Sequence, residues 1–452
     1  MATSCGEGDR QGGHDNGLLW GRRVGENEEA MVTRWQGMPE NLIYNTNYIV
    51  RLWVSEGFLK PKKGKTMEDI GQSYLKELIS RGMINLVRKD PSGGVWLVTI
   101  HDRVHAFAQS EAYEESFLEV HDNADLLMPN SRTGNSVKNR DHNGLRYHGL
   151  QFIPRSKFLR VIDLRGMRIK KVPREIGDMV HIRYLGIRSH SLVDLPSSIG
   201  RLINLQTLDI ESSHVKISGL TTGHWEALAD AFKKLESLLH LHLAAAESAD
   251  DKIPFQLLTK FTLQRVQVLE LYGAIDMSNT DIDERYVLPN LNRLVLKGSV
   301  VNQTFMNRIG ELPSLKELVL CENSYTESKL MFSDSGFNSV TNLVMADMEN
   351  LVEWTIRPMS IPMIRRIALS GFSNLKIKLE GHKGAECPKD LMVNLEEVVV
   401  CNMTGDILIE PADSGFSEKI NKVAIRTKSE DIMDATLRAG RWRESMVAGN
   451  MF

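Results

Sequence analysis

An apolar pattern of the form L-x-x-L-x-L recurs through the carboxy-terminal two-thirds of the chain, and it constrains the fold more than any other feature. It returns about every 23 to 33 residues, some eleven times. We number its apolar residues as positions 1, 4 and 6, which are Leu159, Ile162 and Leu164 in the first unit. Position 1 is occupied in turn by Leu159, Ile182, Leu205, Leu238, Val266, Leu291, Leu315, Val340, Ile364, Leu395 and, most weakly, Ile420.

This period predicts the architecture of the repeats. A unit of about 20 to 29 residues with this signature contributes one short strand and cannot bury its apolar edge alone, so the units stack. The expected fold is α/β, an irregular leucine-rich repeat solenoid. The asparagine that usually follows the third leucine is matched by Asn323 and is mostly missing elsewhere, so we do not expect an unbroken asparagine ladder there. Uneven spacing predicts convex loops of variable length.

A row of polar side chains beside the apolar positions is the candidate contact surface. Alternate side chains of a strand face opposite ways, so residues next to the middle apolar position project away from the core. Taken singly, each polar residue is equally an ordinary solvated side chain. As a row on a concave face they predict contacts with a protein partner. The candidates are Arg160, Arg183, Gln206, Lys316 and Arg365 at position 2, and Arg165 and Arg188 at position 7.

Composition limits the other function classes. The chain has 452 residues and a net charge of −3, so bulk electrostatics indicate no attraction to nucleic acid or to anionic membrane. Its four cysteines are scattered without C-x-x-C spacing, which favours neither a disulfide framework nor a cysteine zinc site. No apolar run has the length of a signal peptide core or a membrane span. A cytoplasmic location is therefore expected.

A different unit precedes the repeats. Residues 48–58 have apolar side chains at helical spacing, and Thr66 is a candidate cap for a second helix that ends near Gly82. Two short strands, 84–88 and 95–100, are expected to flank the turn sequence Asp90-Pro91-Ser92-Gly93-Gly94. A further helix is expected over 101–110. This order, helix, helix, hairpin and helix, is typical of a small winged-helix domain.

Three segments in this unit resemble one protein family. RLWVSEGF, GKTMEDIGQSYLKELISRGMINLV and IHDRVHAFA, in this order and followed by repeats, resemble plant disease resistance proteins of the nucleotide-binding, leucine-rich repeat class. In that family the winged helix ends in a Met-His-Asp motif whose histidine senses the diphosphate of ADP. Ile100, His101 and Asp102 stand at the motif here, so the resemblance implies nucleotide sensing by His101 with support from Asp102.

The family's nucleotide switch also needs a P-loop, G-x-x-x-x-G-K-[ST]. This sequence has none, because Gly64-Lys65-Thr66 has Leu59 where the first glycine is required. We therefore expect no enzymatic activity and no cofactor, with ADP binding conditional on an upstream nucleotide-binding half. We also expect that the chain is either a shortened relative of this family or a sequence whose start is misassigned.

The expected domains are a glycine-rich, disordered segment at 1–37, the winged helix at 38–110, a linker at 111–155 and the repeats at 156–452.

Three functions follow as hypotheses. The first is a non-catalytic immune receptor-like protein whose repeats bind a pathogen effector, a guarded host protein or a full-length relative. The second is an ADP- and ATP-dependent switch ATPase, which requires the upstream half. The third is a winged-helix regulator of DNA, with phosphate contacts from the lysines between Lys60 and Lys65.

Two histidine pairs have alternatives of their own. His101 and His105 have the spacing of a zinc protease motif, but the glutamate is replaced by Asp102 and a third ligand is not evident. His240 and His242 flank Leu241 on an expected strand. They are either a pH-sensitive patch or ordinary exposed side chains.

Overall fold

The computed structural model describes residues 43–89, 95–100, 118–122, 136–140, 150, and 159–410 with gaps. The gaps in that last range are 166–168, 189–191, 193–194, 212–227, 230, 246–251, 255–262, 278–287, 335, 358, 381–391, 393, 402 and 404–406. Two compact units divide the chain. One contains the elements of the winged helix and the other contains the repeats from Ile162 onward.

Two capped helices form the first unit, as the sequence predicted. Helix α1 (Thr46–Glu56) begins after Asn45, whose side chain accepts from the backbone N–H of Asn47, and ends at Gly57 in the left-handed conformation. Helix α2 (Met67–Ser80) begins with a capping box in which Thr66 and Asp69 each accept from the other's backbone N–H. The caps satisfy N–H groups that have no partner inside a helix.

A three-stranded antiparallel sheet completes this unit. Strand β1 (Tyr44–Asn45) pairs with β3 (Val95–Ile100), which pairs with β2 (Ile84–Lys89), so the predicted hairpin is confirmed. The core contains the fully buried Trp53 and Leu75. The two helices cross closely because α2 has a glycine there: a Cβ added to Gly71 would lie 2.5 Å from Val50 Cγ1. The helix expected over 101–110 lies outside the described residues.

The repeats form one long sheet, which confirms the predicted solenoid. Strands β4 (Leu118–Asp122) and β5 (Ser136–Arg140) come before the first repeat. Ten strands, one from each repeat, then lie side by side in sequence order. They are β6 (Val161–Arg165), β7 (Tyr184–Arg188), β8 (Thr207–Glu211), β9 (His240–Ala244), β11 (Val268–Tyr272), β13 (Arg293–Lys297), β14 (Glu317–Cys321), β16 (Asn342–Ala346), β18 (Arg366–Ser370) and β20 (Glu397–Cys401).

Each of these strands covers positions 3 to 7 of its repeat. Equivalent positions pair in register, so that position 4 meets position 4, as Leu269 does with Leu294 and Leu294 does with Leu318. Positions 1, 4 and 6 are buried in all ten repeats. The side chains at positions 3, 5 and 7 alternate with them and therefore lie on the opposite side of the sheet. We call that side the strand face.

The segments opposite the main sheet vary along the solenoid. In the first two repeats they are 3-10 helices, Arg174–Asp178 and Ser197–Arg201, which follow Pro173 and Pro196. Successive turns stack closely there, since a Cβ on Gly177 would lie 2.4 Å from Ser198 O. Later repeats have helix α3 (Gln303–Gly310) or short strands, which are β10 (Ile253–Pro254), β12 (Ile275–Asp276), β15 (Lys329–Phe332), β17 (Glu353–Ile356), β19 (Leu375–Leu379) and β21 (Ile407–Glu410). The last four form a second parallel sheet.

Candidate protein-binding surface

The strand face of the later repeats is apolar along its middle and nearly closed to solvent. Val295 and Val319 occupy position 5 of neighbouring strands and are 2% and 5% exposed, and Cys321 and Ala346 at position 7 are fully buried. Tyr272 and Val344 pack against this cluster. Burial raises the pKa of the Cys321 thiol, and its Sγ donates to Leu296 O at 3.4 Å. The thiol is thus held protonated within the fold.

Charged side chains at position 3 border this apolar strip. Arg293 Nη1 lies 2.6 Å from Glu317 Oε1, and its Nε lies 3.9 Å from Glu270 Oε1. Burial alone would lower the pKa of the Arg293 guanidinium, but Glu317 and Glu270 raise it above its ordinary value. Further along the row, Arg366 Nη2 lies 2.8 Å from Glu397 Oε2. These charges compensate one another across adjacent strands.

The earlier repeats carry a polar network on the same face. His242 Nδ1 lies 2.9 Å from Asp209 Oδ1, and the Tyr184 hydroxyl donates to Asp209 Oδ2 at 3.4 Å. The His242 ring meets the edge of Tyr272, with 4.4 Å between the ring centroids. His240 and His242 are both buried. Their sequence-based assignment as ordinary exposed residues was therefore wrong, because partners from neighbouring repeats close over them.

A second surface lies just before each strand and is open. We call it the N-terminal flank; it consists of position 2 and of the two residues that precede position 1. From Arg183 to Arg365, the carbonyl of each position-2 residue accepts two N–H groups from the next repeat, as Arg183 O does from Gln206 and Thr207 at 2.8 and 2.9 Å. These bonds fix the backbone of the flank, and none of the position-2 side chains that the structure describes is buried. Lys316 and Arg365 are exposed, and Arg183 and Gln206 are partly buried.

The sequence-derived contact residues thus lie on the N-terminal flank rather than on the strand face wherever their side chains are described. Arg160 Nη1 donates to Glu56 O at 2.9 Å, and both residues belong to the first compact unit. Arg165 and Arg188 are the last residues of β6 and β7, and the structure does not describe their side chains. Ile100 ends β3 and is buried, whereas His101 and Asp102 are outside the described residues. The assignment of these residues to nucleotide sensing or partner binding stays a prediction.

A side-chain ladder on this flank escaped the sequence reasoning. The residue directly before position 1 donates from its side chain to a carbonyl of the preceding repeat in five places. The bonds run from Asn204 to Val180 O, Asn290 to Gln264 O, Ser314 to Pro289 O, Ser339 to Pro313 O and Asn394 to Pro362 O, at 2.6 to 2.9 Å. The signal in the sequence is an asparagine or serine directly before the first apolar residue.

Among the described residues, the structure groups no three histidine, cysteine or acidic side chains that could hold a metal ion. An open cavity of about 390 Å³ is lined by nine residues that include Phe232, Glu236 and Arg265 but no serine, cysteine or histidine. No helix in the described part of the chain is both long enough and apolar enough to cross a bilayer.

The fold and this surface define a leucine-rich repeat protein with a winged helix before the repeats. Residues 38–108 match the family described as disease resistance protein winged helix domain, and residues 147–244 match a leucine-rich repeat region. The chain carries these two regions in the order found by sequence reasoning, and it is related to plant disease resistance proteins.

Relatives from Arabidopsis thaliana support this assignment. A putative disease resistance protein is 25% identical, with 81% of this chain and 46% of that protein covered. The disease resistance protein RPP13 is 25% identical over 74% of this chain and 46% of its own length. The chain therefore spans about half the length of these relatives. Among solved structures, an internalin from Listeria monocytogenes is 12% identical and covers 60% of this chain and 85% of its own, with a TM-score of 0.31.

Proposed function

We propose that this chain acts in plant defence as an immune receptor-like protein whose repeats bind another protein. The partner would be a pathogen effector, a guarded host protein or a full-length relative of the chain. The observation that carries the proposal is the winged helix of disease resistance proteins at 38–108, followed by repeats at 147–244. The relatives named disease resistance proteins support the same role.

The geometry of the repeats supports protein binding by the N-terminal flank. Its backbone is fixed by paired carbonyl acceptors and by the side-chain ladder. Little conformational entropy would therefore be lost when a partner docks. Its side chains include Lys316 and Arg365, which are exposed, and Arg183, which is partly buried. Arginine is enriched in protein interfaces. A rigid backbone with accessible polar side chains is suited to recognition.

We further propose that the chain is not an enzyme, needs no cofactor and works in the cytoplasm. The support is chemical: the sequence has no P-loop to hold phosphates, and the cavity beside Phe232 has no serine, cysteine or histidine among its lining residues. ADP binding would depend on an upstream nucleotide-binding half. Measurable ADP affinity of this chain alone, lost in His101→Ala, would overturn the cofactor-free proposal.

We propose that the winged helix does not bind nucleic acid. Lys60, Lys62, Lys63 and Lys65 are exposed in the loop between α1 and α2, and Lys62 Nζ lies 5.5 Å from the centroid of the Tyr74 ring. The first turn of α2 follows this loop and carries Glu68 and Asp69. Carboxylates there repel a phosphate backbone. Retention on duplex DNA at near-physiological salt, abolished by neutralising Lys62 and Lys63, would contradict this.

The defence role is tested by complementation. Plants that lack the gene are transformed with the wild-type chain or with a triple variant, Arg183→Glu, Lys316→Glu and Arg365→Glu, and pathogen growth is measured. We expect the wild type to restore the defence response and the triple variant to fail at equal protein abundance. Because none of the three side chains is buried, the variant should keep the circular dichroism spectrum and melting temperature of the wild type.

Two outcomes would refute the proposal. Plants without the gene that resist every pathogen as the parental line does would refute the defence role itself. Full complementation by the triple variant would refute the assignment of that role to the N-terminal flank.

A further inference from the structure

Two exposed apolar side chains stand next to each other on the N-terminal flank of the second and third repeats. Val180 is 41% exposed and Ile203 is 56% exposed, and each precedes position 1 of its repeat by two residues. Asn204 follows Ile203 directly, and its Nδ2 donates to Val180 O at 2.7 Å. This bond joins the two segments, so the apolar pair sits on a backbone that is already fixed.

The same repeats concentrate positive charge. Residues 159–205 contain nine lysine and arginine residues and four aspartate and glutamate residues, a net charge of +5 in a chain whose total is −3. The remainder of the chain therefore carries −8. Lys170, Lys171 and Arg174 are exposed, and Arg201 pairs with Asp178 at 3.1 Å. The positive charge is thus segregated at one end of the solenoid.

Arg183 adds a positive charge to the same flank. It is the position-2 residue of the second repeat, three residues after Val180, and its carbonyl accepts two N–H groups from the third repeat. No carboxylate is paired with its guanidinium among the described residues. Arg293 on the strand face, by contrast, forms ion pairs with Glu317 and Glu270. Arg183 therefore keeps its capacity to bind an external carboxylate.

The strand face is less suited than the N-terminal flank to bind a partner. Its middle row is nearly closed in both halves of the solenoid, with Asp209 and His242 bound to each other and Val295 and Val319 almost without exposure. A partner that docked there would first have to displace these contacts. The N-terminal flank offers apolar surface and unpaired positive charge without rearrangement.

We propose that Val180, Arg183 and Ile203, which we call the basic-apolar patch, bind a segment of a protein partner that carries both acidic and apolar side chains. This deepens the proposed function, on which it rests. Arginine binds carboxylates bidentately, and apolar side chains on the partner would cover Val180 and Ile203. A nucleic acid would use the positive charge and leave the apolar pair unused, because its affinity comes largely from phosphates. The apolar pair is the reason for choosing a protein segment.

The test measures binding of a probe to the full-length chain. The probe is a fluorescein-labelled synthetic peptide in which glutamate and leucine alternate, and its fluorescence anisotropy is followed during titration. We expect Arg183→Glu to weaken binding about tenfold, which corresponds to about 1.4 kcal/mol, because attraction is replaced by repulsion. Ile203→Ser should weaken it about fivefold through loss of apolar contact.

Matched controls separate the patch from general effects. Lys252→Glu reverses an exposed charge that lies outside the N-terminal flank, just before β10, and Val352→Ser removes an apolar side chain that is 53% exposed elsewhere. Both should leave the affinity for the peptide within twofold of wild type, by the usual size of exposed effects, about 0.4 kcal/mol or less. A second peptide with glutamine in place of glutamate should bind as weakly to the wild type as the first peptide binds to Arg183→Glu.

Three other outcomes would contradict the proposed role of the basic-apolar patch. Equal losses in Arg183→Glu and Lys252→Glu would show a diffuse charge effect and overturn the proposal. Duplex DNA that competes with the peptide, and whose own binding ignores Ile203→Ser, would identify a polyanion site instead. Absence of peptide binding to the wild type would also overturn it. In all three cases, restored defence with the wild-type chain and failure of the triple variant would still support the proposed function, so the two proposals fail separately.

Discussion

Replacement of Leu318 by alanine should destabilise a defined part of the solenoid. Leu318 is the position-4 residue of β14, is fully buried, and pairs in register with Leu294 and Leu343 of the two neighbouring strands. Leucine-to-alanine changes at such sites cost about 2.7 to 5 kcal/mol, because apolar contacts are lost and a cavity remains. We expect about 3 kcal/mol, near the lower end of this range, because the large side chains of Leu294 and Leu343 on either side can relax partly into the cavity.

The position of the lost stability along the solenoid is also predicted. Each repeat contacts its neighbours, so the damage should stay near β13, β14 and β16. Hydrogen exchange followed by mass spectrometry should show exchange in these strands faster by about a hundredfold, as a change of about 3 kcal/mol in local opening requires. Peptides from α1 and α2 should exchange as in the wild type.

Lys316→Ala is the matched control, because it lies two residues away and is exposed. The reasoning would be refuted if Leu318→Ala and Lys316→Ala changed exchange equally. It would also be refuted if exchange rose as much in α1 and α2 as in the repeats.

Further predictions concern single contacts. Gly71→Ala should lower the stability of the winged helix by about 1 to 3 kcal/mol, seen as a lower melting temperature, because its Cβ would clash with Val50 at 2.5 Å. Asn290→Ala should cost about 1 kcal/mol in urea denaturation by removing the 2.8 Å bond to Gln264 O, whereas Asn290→Ser should restore part of it, as serine does elsewhere in the ladder. Cys321 should resist a thiol reagent at pH 8 in peptide mapping until the chain unfolds, since burial raises its pKa.

Sequence reasoning was most successful where one rule governs many residues. The spacing of positions 1, 4 and 6 identified the buried side chains of all ten described repeats, because a stacked unit has no other way to cover its apolar edge. The cap signal at Thr66 and the stop signal near Gly82 likewise gave the two ends of α2 in the winged helix. These signals are local, and nothing distant overrides them.

It was less successful where the outcome depends on a neighbouring repeat. His242 alternates with Leu241 and Leu243 in the sequence, which favoured an exposed side chain, yet Asp209 and Tyr272, each about thirty residues away, enclose it in the structure. The side-chain ladder was missed for the same reason, because the acceptor of Asn204 is a carbonyl in the preceding repeat. Pattern alone also did not show that the strand begins at position 3, which leaves Arg183 on the flank beside it.

The central claim is that defence depends on a protein bound at the N-terminal flank. Site-specific photo-crosslinking tests this claim most directly. A photoreactive amino acid is placed at Ile203 on the flank or at Val344 on the strand face, and the full-length chain is irradiated in infected and uninfected leaves. The account predicts an infection-dependent adduct to a protein at Ile203 and none at Val344. Adducts at Val344 without any at Ile203, or none at either position, would contradict it.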